Sequence, residues 1–502
     1  MSPALFVSFD LTQMSNASGP MIIPLCVIGC GPTGIAALFE AKRQGIQAIG
    51  IEARPSALGT FVEHPEGLVY LSHPSHFEIA GVPLDCHHPK ECTREDVLHY
   101  YARIINWGRL DIRSSTRCVG IAPQEDGVLL TLSGSDGPAI IRAQQVLITS
   151  WYARRPVRQD RKKGAVPRVI TSFRNPVELL GERVVVIGGG LSGCELATSL
   201  MMSGASIVLA MRGLPKPFHS TIQFAKLLRN TRSVIEADLS ALRICDGYVE
   251  AERNGRHVAL ECSVVVAASG AAIDQETCDL LEEAQILGAS AVTALANAPT
   301  FEDGVRIQPA MAPGERLAWV AANRPDLWEY LFDGVNGVRF AGAVLHGGGP
   351  HAGVLVSIAS ARLAVQAIAG KPAPAWARPL ASALTDIRKI LAAVGSASDI
   401  DLLRAIRPVR VASWSRTWRP PHVGHSNGAH NDLGHLGPRS LSALEARVLS
   451  LVNDDRTVQD IVECEAQTGN REEDVHEALR GLFHHHVLTW LPPRHALAPG
   501  PQ

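Results

Sequence analysis

Two stretches of this chain carry glycines at a spacing suited to holding a diphosphate. In VIGCGPTGIAAL, which begins at Val27, Gly29, Gly31 and Gly34 follow a short apolar run; in VVIGGGLSGCELA, which begins at Val185, Gly188, Gly190 and Gly193 keep the same frame. The first glycine of each set permits a tight turn, the second lets backbone approach a pyrophosphate, and the third lets helix and strand pack closely. An anion at such a turn meets the free N–H groups and the dipole of a helix N-terminus. Pro32, Thr33 and Ser192 stand between the glycines and belong to the same cradles.

The second strands of the two units end differently. QAIGIEAR closes on Glu52, 23 positions after Gly29, with Ala53 and Arg54 next. A carboxylate there accepts hydrogen bonds from an adenosine ribose. In the other unit the residue 23 positions after Gly188 is Met211, followed by Arg212. With no carboxylate to repel it, a 2′-phosphate is tolerated, and Arg212 is placed to pair with it. That favours NADPH over NADH, although Arg212 as a solvated loop residue is the alternative. An acidic first site and a basic second one suggest two different dinucleotides, FAD in the first and a nicotinamide in the second, with hydride passing from NAD(P)H to flavin.

The elements that must position these residues are legible around them. Leu25 to Ile28 reads as a strand and IAALFEAKRQG as an amphipathic helix ended by Gly45. QVLITSWYARRPV (145–157) and CSVVVAASGAA (262–272) each read as a strand and a turn, and GVRFAGAVLHGGGPHAGVLVSIASARLAVQAIAG as strand, glycine-rich turn and long apolar helix. The expected fold class is therefore α/β, with two Rossmann-like dinucleotide-binding domains and a C-terminal, mainly helical, winged-helix-like domain. The expected boundaries are a first FAD segment at 20–158, an NAD(P)H domain at 159–300, an insertion and second FAD segment at 301–372, a helical linker at 373–408 and the winged-helix-like unit at 409–495.

Composition bounds this reading. A chain of 502 residues with 46% apolar and 19% charged residues holds two to four domains, since single cores rarely exceed about 250 residues. Its formal net charge of −2 gives no electrostatic reason to expect nucleic acid or an anionic membrane as partner. No apolar run reaches the roughly 18 residues of a membrane span, and the N-terminal stretch lacks the basic and apolar regions of a secretory signal. A cytoplasmic location is expected. Ten cysteines are scattered with no C-x-x-C pair, which suits buried thiols rather than disulfides or a zinc site.

With GCGPTG, GLVYLSHPSHFEIAGVPL (67–84), TREDVLHYYARI (93–104) and ITSWYARRPV in view, residues from about 24 to 370 resemble the two-dinucleotide-binding flavoproteins. Within them the chain is similar to the thioredoxin-reductase-like group of bacillithiol disulfide reductases, and more distantly to flavin-containing monooxygenases. The departures are informative. Those reductases carry a cysteine just before the last glycine of the first turn, where this chain has Thr33, and thioredoxin reductases use a C-x-x-C that is absent here. Cys30 lies in the turn at another position and reads as a packed thiol. The resemblance places Gly342 and Ala343 at the last FAD motif, which lacks its usual acidic residue, and His346 and His351 around the following turn. Those histidines either supply a proton or hydrogen bond near the flavin or cap the helix as polar loop residues. The same two readings apply to His64, His73 and His76, in a segment that by resemblance runs near the isoalloxazine.

After Gly370, KPAPAWARP reads as a linker, LASALTDIRKILAAVGSASDIDLLRAI as one or two helices, and PVRVASWSRTW as a strand. Four histidines in RPPHVGHSNGAHNDLGHLGPRS (His422, His425, His430 and His435) match no zinc spacing, so no metal is expected. Residues 441–493 read as three helices and a strand, with Thr457 capping the second helix. This segment resembles PqqD-like domains, which recognise peptides; a structural or dimerising module and a DNA-binding winged helix are the alternatives, the last disfavoured because REEDVHEALRG balances acid against base. Residues 275–335 are longer than the connection in disulfide reductases, either a substrate-binding insertion or a surface elaboration.

The function expected is an FAD-dependent, NAD(P)H-using oxidoreductase, with a monooxygenase acting on a small or a peptide- or carrier-linked substrate placed first. A thiol-disulfide oxidoreductase working through a cysteine such as Cys30 is the alternative. A peptide-binding module with a non-catalytic flavin domain is the third. Related flavoproteins are often dimers, so a homodimer is an expectation by analogy.

Overall fold

Strand β1 (Ile22–Ile28) runs into helix α1 (Pro32–Arg43), with Pro32 at the first helical position, where a missing N–H costs nothing. In this computed structural model the described residues are 22–70, 72, 74–86, 92–135, 137–150, 153–154, 167–211, 233–268, 271–272, 280–281, 283–286, 334–342, 354–371, 407–410, 442–452, 456–484 and 488–491. After α1 come β2 (Ala48–Ile51), helix α2 (Arg94–Gly108) and β3 (Asp111–Arg113). Thr93 and Asp96 close a reciprocal capping box at the start of α2, satisfying two N–H groups that a helix start leaves open.

The first sheet is mixed. Antiparallel strands β4 (Thr116–Gln124), β5 (Gly127–Gly134) and β6 (Gly137–Ile148) extend it, giving the order β3-β2-β1-β6-β5-β4. Strand β6 is long because it serves two neighbours on one side. Its first half pairs with β5, and its second half pairs in parallel with β17 (Val338–Phe340), matching Val338 to Val146 and Phe340 to Ile148. The chain thus leaves the first sheet, builds a second unit and returns.

The second unit is a parallel sheet in the order β11-β10-β9-β15-β8. Its strands are β8 (Arg168–Ile170), β9 (Arg183–Ile187), β10 (Ser206–Ala210), β11 (Ser233–Glu236) and β15 (Val264–Ala267). Helix α3 (Leu191–Met202) covers one face, packing Leu196 and Leu200 on Val184 and Val186. An antiparallel sheet of β12 (Ser240–Cys245), β13 (Tyr248–Arg253) and β14 (Arg256–Glu261) covers the other, packing Ile244 and Val249 on Val185 and Ile187. Both faces being covered, VVVI (184–187) and VVVA (264–267) are continuous apolar runs rather than alternating ones. The two crossover segments read from the sequence meet here: β7 (Ala153–Arg154) pairs antiparallel with β16 (Ala271–Ala272).

Helix α1 differs from its expected amphipathic character. Helix α4 (Val354–Ile368) and α2 pack on it, so every residue from Pro32 to Ala41 is buried. Glu40, 1% exposed, is therefore an interior carboxylate. Its Oε2 accepts from Arg43 at 2.9 Å and Arg362 at 3.3 Å, and its Oε1 from Gln44 at 2.6 Å and Gln366 at 3.2 Å. Burial pushes this carboxyl up, but the two guanidinium groups and two amides outweigh it and hold it below the usual range.

The C-terminal part contains α5 (Ala443–Leu451), α6 (Val458–Ala466), α7 (Glu472–His484) and a ribbon of β18 (Arg407–Arg410) antiparallel to β19 (Leu488–Leu491). Thr457 caps α6 as expected, in a box with Asp460, and Ser442 with Glu445 does the same for α5. The expected linker helices at 380–406 and the histidine-rich loop lie outside the described residues.

Replacing Glu40 by Ala leaves Arg362 buried without its carboxylate, and urea unfolding should show a loss of about 3 kcal/mol. Because the folded carboxyl titrates below its unfolded value, the wild-type advantage should be complete above the ordinary glutamate range and disappear as pH falls through the lower folded value.

Candidate functional site

The two glycine turns are built on the same plan. Gly29 has φ +93° and Gly188 φ +126°, a region that favours glycine. A Cβ on Gly29 would lie 2.1 Å from Ser150 Cβ, and one on Gly188 2.2 Å from the Ala268 carbonyl oxygen. A Cβ on Gly34 would lie 1.9 Å from the Gly29 carbonyl oxygen, and one on Gly193 1.8 Å from that of Gly188. These outer glycines are demanded by the fold itself. The middle ones are not: a Cβ on Gly31 or Gly190 would meet nothing within 4 Å.

Gly31 and Gly190 are the N-caps of α1 and α3, and neither helix start has a side-chain cap. Each turn therefore offers open space beside uncapped N–H groups, where a diphosphate fits. Thr33, in the first turn of α1, is buried against the last FAD motif. A Cβ on Gly342 would lie 2.8 Å from Thr33 Cγ2, and the Gly342 N–H donates to Ser360 Oγ on α4 at 2.8 Å. Ser192 is exposed at the start of α3.

Glu52 is 4% exposed, at the end of β2. Its Oε2 accepts the Cys30 N–H and its Oε1 the Arg54 N–H, each at 2.9 Å. This fixes the carboxylate beside the turn, and each oxygen keeps a lone pair with which to accept a ribose hydroxyl. Exposed Ala53 and half-buried Arg54 follow, Arg54 reaching Glu63 at 2.7 Å. At the equivalent place in the second unit Met211 is buried, its N–H bonded to the Glu236 carbonyl. The second site therefore has an apolar strand end with no carboxylate, as expected; Arg212 lies outside the described residues.

Of the catalytic candidates, His76 is half-buried on a short 3-10 turn, Pro74–Phe77, that packs on α4. His73, His346 and His351 lie outside the described residues, as does Ala343. Cys30 points away from the groove into the core, where a Cβ on Gly50 would lie 2.6 Å from its Sγ. Burial, then the Glu52 carboxylate, pushes its thiol well above the usual range. Cys194, in the second turn, is pushed up to about 12 by burial and by Glu195. Among the described residues eight cysteines are buried and Cys464 is half-buried.

Sequence spacing did not reveal a cluster between the two units. Phe61, His64, Tyr70 and Phe77 pack with ring centroids 5.1 to 6.2 Å apart, and His64 Nδ1 lies 2.9 Å from the Tyr70 hydroxyl. Burial and then the Glu195 carboxylate on α3 push the Tyr70 hydroxyl far up, so it stays protonated. The same loop carries the second unit, through Ser172 Oγ to the Glu63 carbonyl at 2.9 Å and Glu66 with Arg174 at 2.9 Å. Partners more than 100 residues apart leave no local signal.

Residues 26–274 match the pyridine nucleotide-disulphide oxidoreductase family profile. Over that span the fold is that of the two-dinucleotide-binding flavoproteins. A ferredoxin-NADP reductase from Flavobacterium johnsoniae is 23% identical over 48% of this chain and 68% of its own length. A bacilliredoxin reductase from Bacillus subtilis is 22% identical over 37% of this chain and 56% of its own length. Among solved structures, a bacillithiol disulfide reductase from Bacillus cereus superposes with TM-score 0.52 at 18% identity, covering 70% of this chain and 99% of that one. A flavin monooxygenase mutant from Stenotrophomonas maltophilia gives 0.50 at 17% identity, with the same two coverages. The flavoprotein fold is thus shared by reductases and monooxygenases alike, and the rest of this chain is additional to both. No described helix is long and apolar enough to cross a membrane, and no described group of three or more His, Cys, Asp or Glu could hold a metal ion.

The middle glycines allow the two sites to be switched off separately. Gly31→Ala should fold and weaken FAD binding more than about tenfold, because the methyl group takes the place of the diphosphate. Gly190→Ala should keep FAD and lose NADPH-driven bleaching. Flavin content and anaerobic absorbance read the two effects.

Proposed function

We propose that this flavoprotein takes hydride from NADPH onto FAD and uses the reduced flavin with O2 to oxygenate a small or a peptide- or carrier-linked substrate. Glu52 and the N–H groups at Gly31 would hold FAD, and those at Gly190 the nicotinamide dinucleotide. NADPH is preferred to NADH because the strand end at Met211 presents no carboxylate to a 2′-phosphate. When bound, FAD supplies a two-electron acceptor between nicotinamide and oxygen. The chain's own contribution is to bind and orient the two dinucleotides and to exclude water from the groove.

The observation that carries the choice against disulfide reduction is the state of the thiols. Attack on a disulfide requires an accessible thiolate beside the flavin. Cys30 and Cys194, the thiols of the two cradles, are both buried and both held protonated. An oxygenating path asks for no protein nucleophile. The additional C-terminal part supplies a place where a peptide- or carrier-linked substrate would be recognised, in keeping with its resemblance to peptide-binding modules.

Anaerobic stopped-flow mixing with NADPH, followed by oxygen, tests this reading. Flavin bleaching and then a reoxidation slow enough to resolve supports it. Reoxidation that needs a disulfide and ignores oxygen overturns it. Cys30→Ala should bleach and reoxidise like wild type, whereas a thiol-dependent enzyme would lose turnover.

A further inference from the structure

Strand β19 carries a side chain that belongs to the first domain as much as to its own. Trp490 is fully buried. Its indole Nε1–H donates to the Pro83 carbonyl at 3.2 Å, and its ring lies 5.4 Å from Trp107 and 6.5 Å from Tyr100, both on α2. The Arg103 guanidinium stacks 4.6 Å over the same ring, donates to the Trp490 carbonyl at 3.4 Å and pairs with Asp85. Pro83 and Asp85 belong to the segment Phe77–Asp85, which runs on from the short turn packed against α4.

Within the segment the Val82 N–H donates to the Ile79 carbonyl at 3.0 Å and the Leu84 N–H to Glu78 Oε1 at 3.1 Å, and its other supports come from outside. Tyr101 donates to the Phe77 carbonyl at 2.8 Å, and the Tyr100 hydroxyl accepts the Ile79 N–H at 2.7 Å while donating to the Val82 carbonyl at 2.8 Å. All these anchors stand on α2, and Trp490 packs on the same helix. One end of the segment thus packs on α4, whose Ser360 Oγ accepts the N–H of Gly342 beside Thr33 of the first cradle, and the other is closed by the C-terminal part. The cores are continuous too: Val448, Ile461, Leu479 and Phe483 join the cluster that holds Tyr100 and Phe77.

We propose that Trp490 is a positioning residue for the flavin reaction. It sets the Phe77–Asp85 wall of the reactive groove, making the C-terminal part a fixed component of that groove instead of an appended domain. The inference rests on the reading that the first cradle holds FAD. Loss of the indole donor leaves the buried Pro83 carbonyl unpaired and lets the segment open locally.

Full-length Trp490→Phe and Trp490→Ala provide the test, with amide hydrogen exchange and the visible circular dichroism of bound FAD as readouts. Trp490→Phe keeps an aromatic ring while removing the donor and part of the indole's volume, so it carries the test even where Trp490→Ala fails to fold. Exchange at Ile79, Val82 and Leu84 should rise roughly tenfold, with Ile461 in α6 unchanged. The flavin band should shift at unchanged FAD content. Unchanged exchange at these amides overturns the mechanical link, and faster exchange with an unaltered flavin band overturns the positioning role. A wild-type chain that takes up no added FAD overturns the cofactor reading separately, because the exchange comparison needs no cofactor.

Discussion

The close approach of helix to strand at each glycine turn is the constraint on which the rest of the structure depends. At Gly34 and Gly193 the helix comes so near the carbonyl of the first glycine that no side chain fits. That contact leaves the N–H groups at the starts of α1 and α3 uncapped beside open space, where an anion gains from both hydrogen bonding and the helix dipole. The third strand of each unit completes the lock. Thr149 Oγ1 donates to the Gly29 carbonyl at 2.7 Å, and Ser150 or Ala268 crowds the first glycine of its turn. Two sites of one design follow from one packing requirement met twice.

The polar groups around these turns are placed by what the packing leaves unsatisfied. Glu52 takes two backbone N–H groups and so stands ready beside the first cradle, whereas Met211 lets the second strand end apolar. Glu40 is tolerated inside because four donors converge on it. The thiols receive no such compensation. At Cys30 and Cys194 burial comes first and a neighbouring carboxylate adds to it, and a thiol kept protonated is a packing group rather than a nucleophile.

Longer-range contacts decide how the parts work together. The loop carrying Glu63, His64 and Tyr70 meets the second unit through Ser172, Arg174 and Glu195. Helix α2 holds the Phe77–Asp85 segment on one side and Trp490 on another. The contacts that join the two units and the C-terminal part are therefore made by segments that lie far apart in the chain.

The sequence by itself determined the two strand-turn-helix units, the acidic end of the first and the carboxylate-free end of the second, and the Thr457 cap. Each of these rests on residues within a few turns of one another, where spacing and side-chain type act directly on the local backbone. The return of the chain to the first domain was legible too, but the register of β17 on β6, the interior place of Glu40 and the docking of Trp490 were decided by tertiary structure. An IAALFEAKRQG pattern shows a polar residue at Glu40, but only the helix that arrives more than 300 residues later turns its surroundings into core. Trp490 reads as one aromatic residue in a short strand until α2 and Pro83 close around it. Burial and partner choice are properties of the assembled chain, because they depend on which distant surfaces exclude water together.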